Sequence, residues 1–390
     1  MASSHELQCS VCRYGVENID WSLNNVAISQ IVDCAEGSVR RHKAWAEANG
    51  IAPDQPFTVT SEDGRPEWVS NSGEPRRAWQ TGSGEWRQSF QHVPDVADVE
   101  ARLDNERIDA LIVAVPDPVF PDILDGPTEL FDIADPQIGK GGEALGGTDG
   151  TIARIYAAVK TAIETRYLLN PPKELYLIDG GDIVENLFST PQQLTSNDRT
   201  LPEQVEDAVS VYMNVIGMFL PYVGSLYHVT VTSNHGEARN ALKINPYGSD
   251  NDWGFMIQRI IRTRCEDRGW DVAFIRPDPN EDTAVFTTGD GTKVAVTHGH
   301  HSGSPSRVKD WIKGQDHGRR PGWDADIWLT HHFHHSWHDT IGGGRWVFGT
   351  PSIDPGSAWF TRKTGESSPP GVMCLTVSNG KWSNHTVIEP

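Results

Sequence analysis

Residues 175–186 read LYLIDGGDIVEN, a short apolar run that breaks off into Gly-Gly-Asp. The run has the length of a buried strand, and its end is abruptly polar. The same form recurs in LFDIAD (130–135), LYHVTVTSNH (226–235), VAVTHGHH (294–301) and DIWLTHHFHH (326–335). Helical patterns such as TIARIYAAVKTAIETRY (151–167) lie between them. Alternating strands and helices predict an α/β fold from about residue 127 onward. In such folds, chemistry collects beyond the carboxyl ends of the strands, where these Asp, Asn and His residues fall.

The chain around these strands has 390 residues, enough for two domains. It is 37% hydrophobic and 22% charged, which excludes global disorder. Its 33 basic and 53 acidic residues give a formal charge of −20. That excludes attachment to DNA or an anionic membrane by overall charge, although not a local basic patch. The five cysteines are an odd number in a long chain, so a disulfide framework is not expected. The N-terminus MASSHELQCSVCRYG has no apolar run and hence no signal peptide. No stretch approaches the roughly 20 apolar residues of a membrane span. The expectation is a soluble, cytoplasmic protein.

Residues 1–49 read as helix, helix, turn, helix. Gly37 sits in the tight turn, and Ser38 caps a final helix that carries Arg40, Arg41, His42 and Lys43. A short helix, a turn and a basic second helix form a helix-turn-helix-like signature. Ser38, Arg40, Arg41 and Lys43 are its candidate DNA-binding residues; a packing or dimerisation hairpin is the alternative. Cys9 and Cys12 form a lone Cys-x-x-Cys, half of a zinc site or simply two free thiols. Residues 50–126 form an irregular Trp- and Gly-rich connector with an entry strand, in which Trp68, Trp79 and Trp86 recur.

The strand ends supply Asp135-Pro-Gln137, then Gly181-Asp182-Ile-Val-Glu185-Asn186, then Ser233-Asn234-His235-Gly-Glu237. His298-Gly-His300-His301 and His331-His332-Phe333-His334-His335 complete the set. A single Gly-Asp is usually a turn, and a lone His is usually structural. Five histidines within residues 331–338 point to metal. Taken in order, each set after a strand, they resemble the calcineurin-like metallophosphoesterase superfamily. Its motifs run D-x-H, G-D, G-N-H-(D/E), a strand-end His, then G-H-x-H. Gln137 stands where the family has His, Ser233 where it has Gly, and His331 where it has Gly. The resemblance spans residues 127–350 and is nearest the phage-encoded members and the SbcD-type nuclease branch.

The resemblance implies a four-layer αββα sandwich of two mixed sheets over residues 127–390, preceded by the small all-α domain. It implies two divalent cations, Mn²⁺ first, with Fe²⁺, Zn²⁺ and Mg²⁺ as alternatives. One would take Asp135, Gln137, Asp182 and His334; the other Asp182, Asn234, His298 and His332. A hydroxide bridging the metals would attack phosphorus, and His235 would serve as the catalytic acid. Glu237 would orient His235 or anchor its loop, while Arg239 and His300 are candidates for substrate contact. Gln137 is the departure that weakens the first metal site. Asp117 offers an alternative first motif but lacks a ligand at Val119.

Together these readings favour a DNA exo- or endonuclease recruited by the helix-turn-helix, with a partner ATPase or a homodimer as further expectations. A phosphomonoesterase or small-molecule phosphodiesterase fits the acidic charge better. A DNA-binding protein with a degenerate phosphoesterase fold is the reading without catalysis. Residues 139–150, GKGGEALGGTDG, lack a nucleotide-loop pattern and read as a loop whose Thr148 or Asp149 caps the next helix. The tail after Val347 is expected to complete the second sheet.

Overall fold

The structure is a computed structural model. It describes residues 104–112, 121–141, 146–187, 196–239, 245, 248–354 and 369–390, four short strands between 57 and 90, and positions 28, 31 and 39. The helix-turn-helix residues Ser38, Arg40, Arg41 and Lys43, and Cys9 and Cys12, lie outside the described residues. Ile28, Ile31 and Val39 are helical, and Ile28 and Val39 are buried.

The chain divides into a unit Met1–Val93 and a unit Pro94–Pro390. In the first unit, β1 (Phe57–Val59) pairs antiparallel with β2 (Pro66–Trp68). Likewise β3 (Arg76–Gln80) pairs with β4 (Trp86–Phe90).

The second unit opens with α1 (Asn105–Leu111) and then builds two mixed sheets. The larger contains β5 (Thr128–Ile133), β6 (Glu174–Asp179), β7 (Ser225–Thr230) and β8 (Val272–Ile275), all parallel. The smaller contains β9 (Thr283–Thr287), β10 (Lys293–Thr297), β11 (Ile327–Thr330), β12 (Trp337–Gly342) and β13 (Arg345–Gly349), in the order β12-β13-β11-β10-β9. Strands β14 (Val372–Ser378) and β15 (Lys381–Ile388) run antiparallel beyond β5, giving the larger sheet the order β15-β14-β5-β6-β7-β8. The tail is therefore split. Its first strand completes the smaller sheet, whereas β14 and β15 extend the larger one. Val372 and Cys374 face one side and Met373, Leu375 and Val377 the other, and this two-sided apolar pattern suits a place beside β5.

The period-2 alternation sets the layers. Tyr176 and Ile178 of β6 join Leu329 of β11 and Val296 of β10 in a core between the sheets. Leu175 and Leu177 face the other way, onto α2 (Gly147–Ala162), α3 (Leu201–Phe219) and α4 (Trp253–Asp267). Ala295 and Trp328 face outward from the smaller sheet onto α5 (Val308–Gly318). The order is helices, sheet, sheet, helix.

Capping residues place the helix starts. Glu203 accepts from the Thr200 backbone N–H at 2.7 Å to open α3, and Asp252 accepts from Gly254 N–H at 2.7 Å to open α4. The start of α2 differs from the expected cap: Gly146 is the N-cap, and Thr148 lies inside the first turn, donating to Asp198 at 2.5 Å. Cys265 and Cys374 are buried free thiols. Among the described residues, no helix is long and apolar enough to cross a membrane.

Candidate metal centre

The carboxyl ends of β5, β6, β7, β10 and β11 meet along one edge of the sandwich. Asp135 follows β5, Asp182 follows β6, Asn234 and His235 follow β7, His298 follows β10, and His332 and His334 follow β11. Asp135, Gln137, Asp182, His332 and His334 have φ of 49°, 45°, 51°, 72° and 60°. Left-handed backbone costs a residue with a side chain about 1–3 kcal/mol, so such a concentration marks a site held in shape by its surroundings.

His298 is at the centre. Its Nδ1 lies 2.8 Å from the Gly180 carbonyl and donates to it, which turns Nε2 into the cluster. That Nε2 is 3.2 Å from Asp182 Oδ2, 3.0 Å from Asn234 Oδ1 and 3.2 Å from His332 Nδ1. Ligand atoms of Asp182, His298 and His332 all lie within 4.8 Å of one another. Asp135 flanks them: its Oδ1 is 4.0 Å from His298 Nε2 and 3.2 Å from His334 Nε2, and its Oδ2 accepts from the His332 backbone N–H at 3.2 Å.

Burial alone would raise both carboxyls. The imidazoles of His298 and His235 hold Asp182 well below the ordinary carboxylate range, and those of His334 and His298 hold Asp135 below it. Burial would lower His298, but Asp182 and Asp135 push it up to about 9. Burial and the neighbouring His298 bring His332 down to about 4. The result is two ionised, buried carboxylates beside imidazoles that cannot all be cationic.

A divalent cation fits this donor set of carboxylate, amide oxygen and imidazole. Asp135 Oδ1 is buried with the His334 and His298 imidazoles near it, at 3.2 and 4.0 Å, so a cation could take the place between them. Gln137 is different. Its Oε1 accepts from Lys140 Nζ at 2.6 Å, and Lys140 also pairs with the buried Asp354. The amide oxygen expected to ligate thus has an ammonium on it.

His235 stands beside the cluster. Its backbone N–H donates to Asp182 Oδ1 at 2.8 Å, and its ring Nε2 is 3.9 Å from Asp182 Oδ2. Its Nδ1 faces Glu185, 3.1 Å from the carbonyl and 3.3 Å from Oε2. Burial would lower this ring, but Asp182 and Glu185 push it up to about 9. The carboxylate against the ring is therefore Glu185; the Glu237 side chain pairs with Arg239 instead. Asn186 Nδ2 donates to the His235 and Glu237 carbonyls at 2.7 and 3.2 Å, tying the β6 loop to the β7 loop.

Three supports were not assigned from sequence. Ser233, in place of a glycine, accepts from the Asp182 backbone N–H at 2.7 Å and from Gly236 N–H at 3.0 Å. His331 is buried and bonds Asp132 through Nε2 at 3.0 Å and the Thr297 carbonyl through Nδ1 at 2.9 Å, bracing the sheets against each other. Gly181, at φ +90°, packs so closely that a Cβ there would lie 2.7 Å from Ser233 Cβ and 2.9 Å from His298 Nδ1. The signal for Asp132 was an acid flanked by the apolar Phe131 and Ile133 within a buried strand. His300 borders the cluster, its ring 5.5 Å from that of His298, and burial with His298 and His301 lowers it to about 2. His301 pairs with Asp282 at 3.0 Å.

No protein-family model matches the chain, and no curated protein matches it. Among solved structures, the chain is similar to Vps29 of Chaetomium thermophilum. The identity is 12%, over 43% of this chain and 83% of that one, with a TM-score of 0.24. The chemistry of the site accordingly rests on its own geometry.

Proposed function

We propose that the chain is a metal-dependent phosphoester hydrolase acting on nucleic acid phosphodiesters. The observation that supports this is the convergence of Asp135, Asp182, Asn234, His298, His332 and His334 from strand ends of both sheets. Asp182, Asn234, His298 and His332 would hold one divalent cation, and Asp135 with His334 a second; Mn²⁺ is the first candidate. Such ions, when bound, supply Lewis acidity toward a phosphoryl oxygen and an activated water.

The chain's own residues supply the rest. Asp182 carries negative charge toward both sides of the cluster. His235 holds a proton at neutral pH, because Asp182 and Glu185 favour its charged form. Its Nε2 is the atom from which that proton reaches the leaving oxygen. Glu185 fixes the ring through Nδ1, and Asn186 fixes the loop that carries it.

The nucleic acid preference draws on the basic run Arg40, Arg41 and Lys43, which the sequence reads as part of a helix-turn-helix-like segment. The formal charge of −20 favours the second reading, a phosphomonoesterase or small-molecule phosphodiesterase. An assay with Mn²⁺ on labelled linear and circular DNA, alongside bis-p-nitrophenyl phosphate, separates them, with Asp182→Ala as the blank. Cleavage of DNA that the blank lacks supports the nuclease reading. Hydrolysis of the small ester alone supports the second reading, and no hydrolysis of either sinks both.

A further inference from the structure

At the β9 edge of the smaller sheet lies a cavity of about 340 Å³, whose lining includes four cationic residues, Arg276, Lys293, Arg319 and Arg320, against two acids, Asp278 and Asp324, with Trp323 beside them. None of these residues belongs to the metal cluster. Lys293 pairs with Asp324, and Arg320 pairs with Glu281 at 2.7 Å. Arg276 and Arg319 have no carboxylate partner among the described residues. Each lies against a ring instead: Arg319 is 5.6 Å from the Trp323 ring centroid, and Arg276 is 5.4 Å from that of Phe255. Ring contact leaves the N–H donors of a guanidinium available to an anion. Trp323 is 43% exposed, so part of its indole is open to a ligand.

The wall that carries these groups is built in advance. Arg320 N–H donates to the Gln315 carbonyl at 2.9 Å, Trp323 N–H to Arg320 at 3.0 Å, and Ala325 N–H to Gly322 at 2.9 Å. Arg345 grips Asp316 through two bonds of 2.7 and 3.1 Å. Gly322, at φ +84°, seats the loop on the sheet, since a Cβ there would lie 2.7 Å from Ala295 Cβ and from the Trp328 ring. One strand of its wall leads to the cluster. The wall residue Thr283 pairs with Thr297, which immediately precedes His298.

A phosphate suits the two arginines that lack a carboxylate, and an unpaired base suits the part of the indole that Arg319 leaves open. On a chain of −20 charge, a local cationic cavity is where a polyanion is tolerated. We propose that this cavity is a nucleotide subsite, in which Arg276 and Arg319 take a phosphate and Trp323 stacks a base of single-stranded nucleic acid. A base inside a duplex is already stacked, so the strand must be unpaired here. The choice of a strand over a free nucleotide rests on the phosphodiester reading above.

The test is fluorescence anisotropy of labelled oligothymidylate on the full chain in EDTA, which keeps cations from the cluster. Trp323→Ala weakens binding about tenfold, and Trp323→Phe restores most of it. Arg276→Gln with Arg319→Gln flattens the dependence of log Kd on log salt by about 0.7 per arginine. Unchanged thermal melts show that the variants fold. Three outcomes overturn the subsite: variants that bind like the parent chain, an abasic strand that competes as well as oligothymidylate, or thymidine monophosphate that competes equally per nucleotide. Binding in EDTA without cleavage in Mn²⁺ leaves the subsite standing and removes the reading as a nucleic acid hydrolase. Cleavage with no dependence on Trp323, Arg276 or Arg319 does the reverse.

Discussion

Lys140 Nζ donates to Gln137 Oε1 at 2.6 Å, so a lone pair of that amide oxygen is already engaged by a cation of the chain itself. Gln137 therefore contributes less to metal binding than the carboxylates do. Gln137→Ala is expected to keep bound Mn²⁺ within a few-fold of the parent chain, whereas Asp135→Ala loses far more. Metal content by elemental analysis after dialysis checks this. Equal loss in the two variants would show that Gln137 leaves Lys140 to ligate.

Asp182 faces His298 and His235 and shares a candidate ligand cluster with His298 and His332. Asp182→Ala is expected to lose metal and hydrolysis together. His235→Ala should lower turnover by about 10²–10⁴-fold while metal content stays near normal, because only a proton donor is removed. If His235→Ala empties the site, the division between metal holder and acid is wrong.

The His235 ring, raised to about 9 by Asp182 and Glu185 against the effect of burial, is an acid that works while protonated. Activity that depends on it is present below that value and falls as pH rises through it. Glu185→Gln removes one of the charges that favour the imidazolium. The alkaline limb of kcat against pH then moves toward lower pH, by about one unit. A limb that stays in place would remove Glu185 from this role.

Gly181 touches no substrate, yet a methyl group there would press on Ser233 and His298. Gly181→Ala is expected to weaken metal binding by about 10–100-fold, the range found when groups that orient a ligand are disturbed. Calorimetric titration with Mn²⁺ measures it. Parent-like affinity would mean that the β6 loop yields without moving His298.

His228 is fully buried on β7 between Tyr212 and Phe274, and neither ring nitrogen has a hydrogen-bond partner among the described residues. Burial lowers it to about 3, so it is neutral in the folded chain and near 6.5 when unfolded. Its contribution to stability is whole above pH ~6.5 and is lost as pH falls toward 3, by about 1.4 kcal/mol per pH unit. His228→Phe should make the thermal midpoint less sensitive to acid. Identical acid profiles for the two proteins would contradict it.

Several parts of this molecule are legible in sequence. An apolar run that ends in Asp, Asn or His is both a strand and a strand end, so LYLIDGGD and DIWLTHHFHH announce the element and the candidate ligand together. The same holds for His298 after VAVT and Asn234 after VTVTS. The reason is local: strand burial and the polar break are properties of contiguous residues. The tail was less legible, because strand identity is local while sheet membership is not. β14 lies beside β5, more than 200 residues away in the chain.

Partnerships were not legible either. Glu185 and Glu237 lie nearly equidistant from their motifs in sequence, yet only Glu185 reaches the His235 ring. The path of the β6 loop and the grip of Asn186 on the β7 loop decide that. Lys140 is three residues from Gln137, but its bond matters because Asp354, 214 residues further along the chain, holds the same ammonium. By itself, the sequence determined which residues end the strands, and so the chemical kinds of group available to a metal centre. Only the tertiary structure decided which of those groups face one another, because distances between side chains on separate strands follow from sheet order, register and left-handed turns, none of which is written in a single contiguous segment.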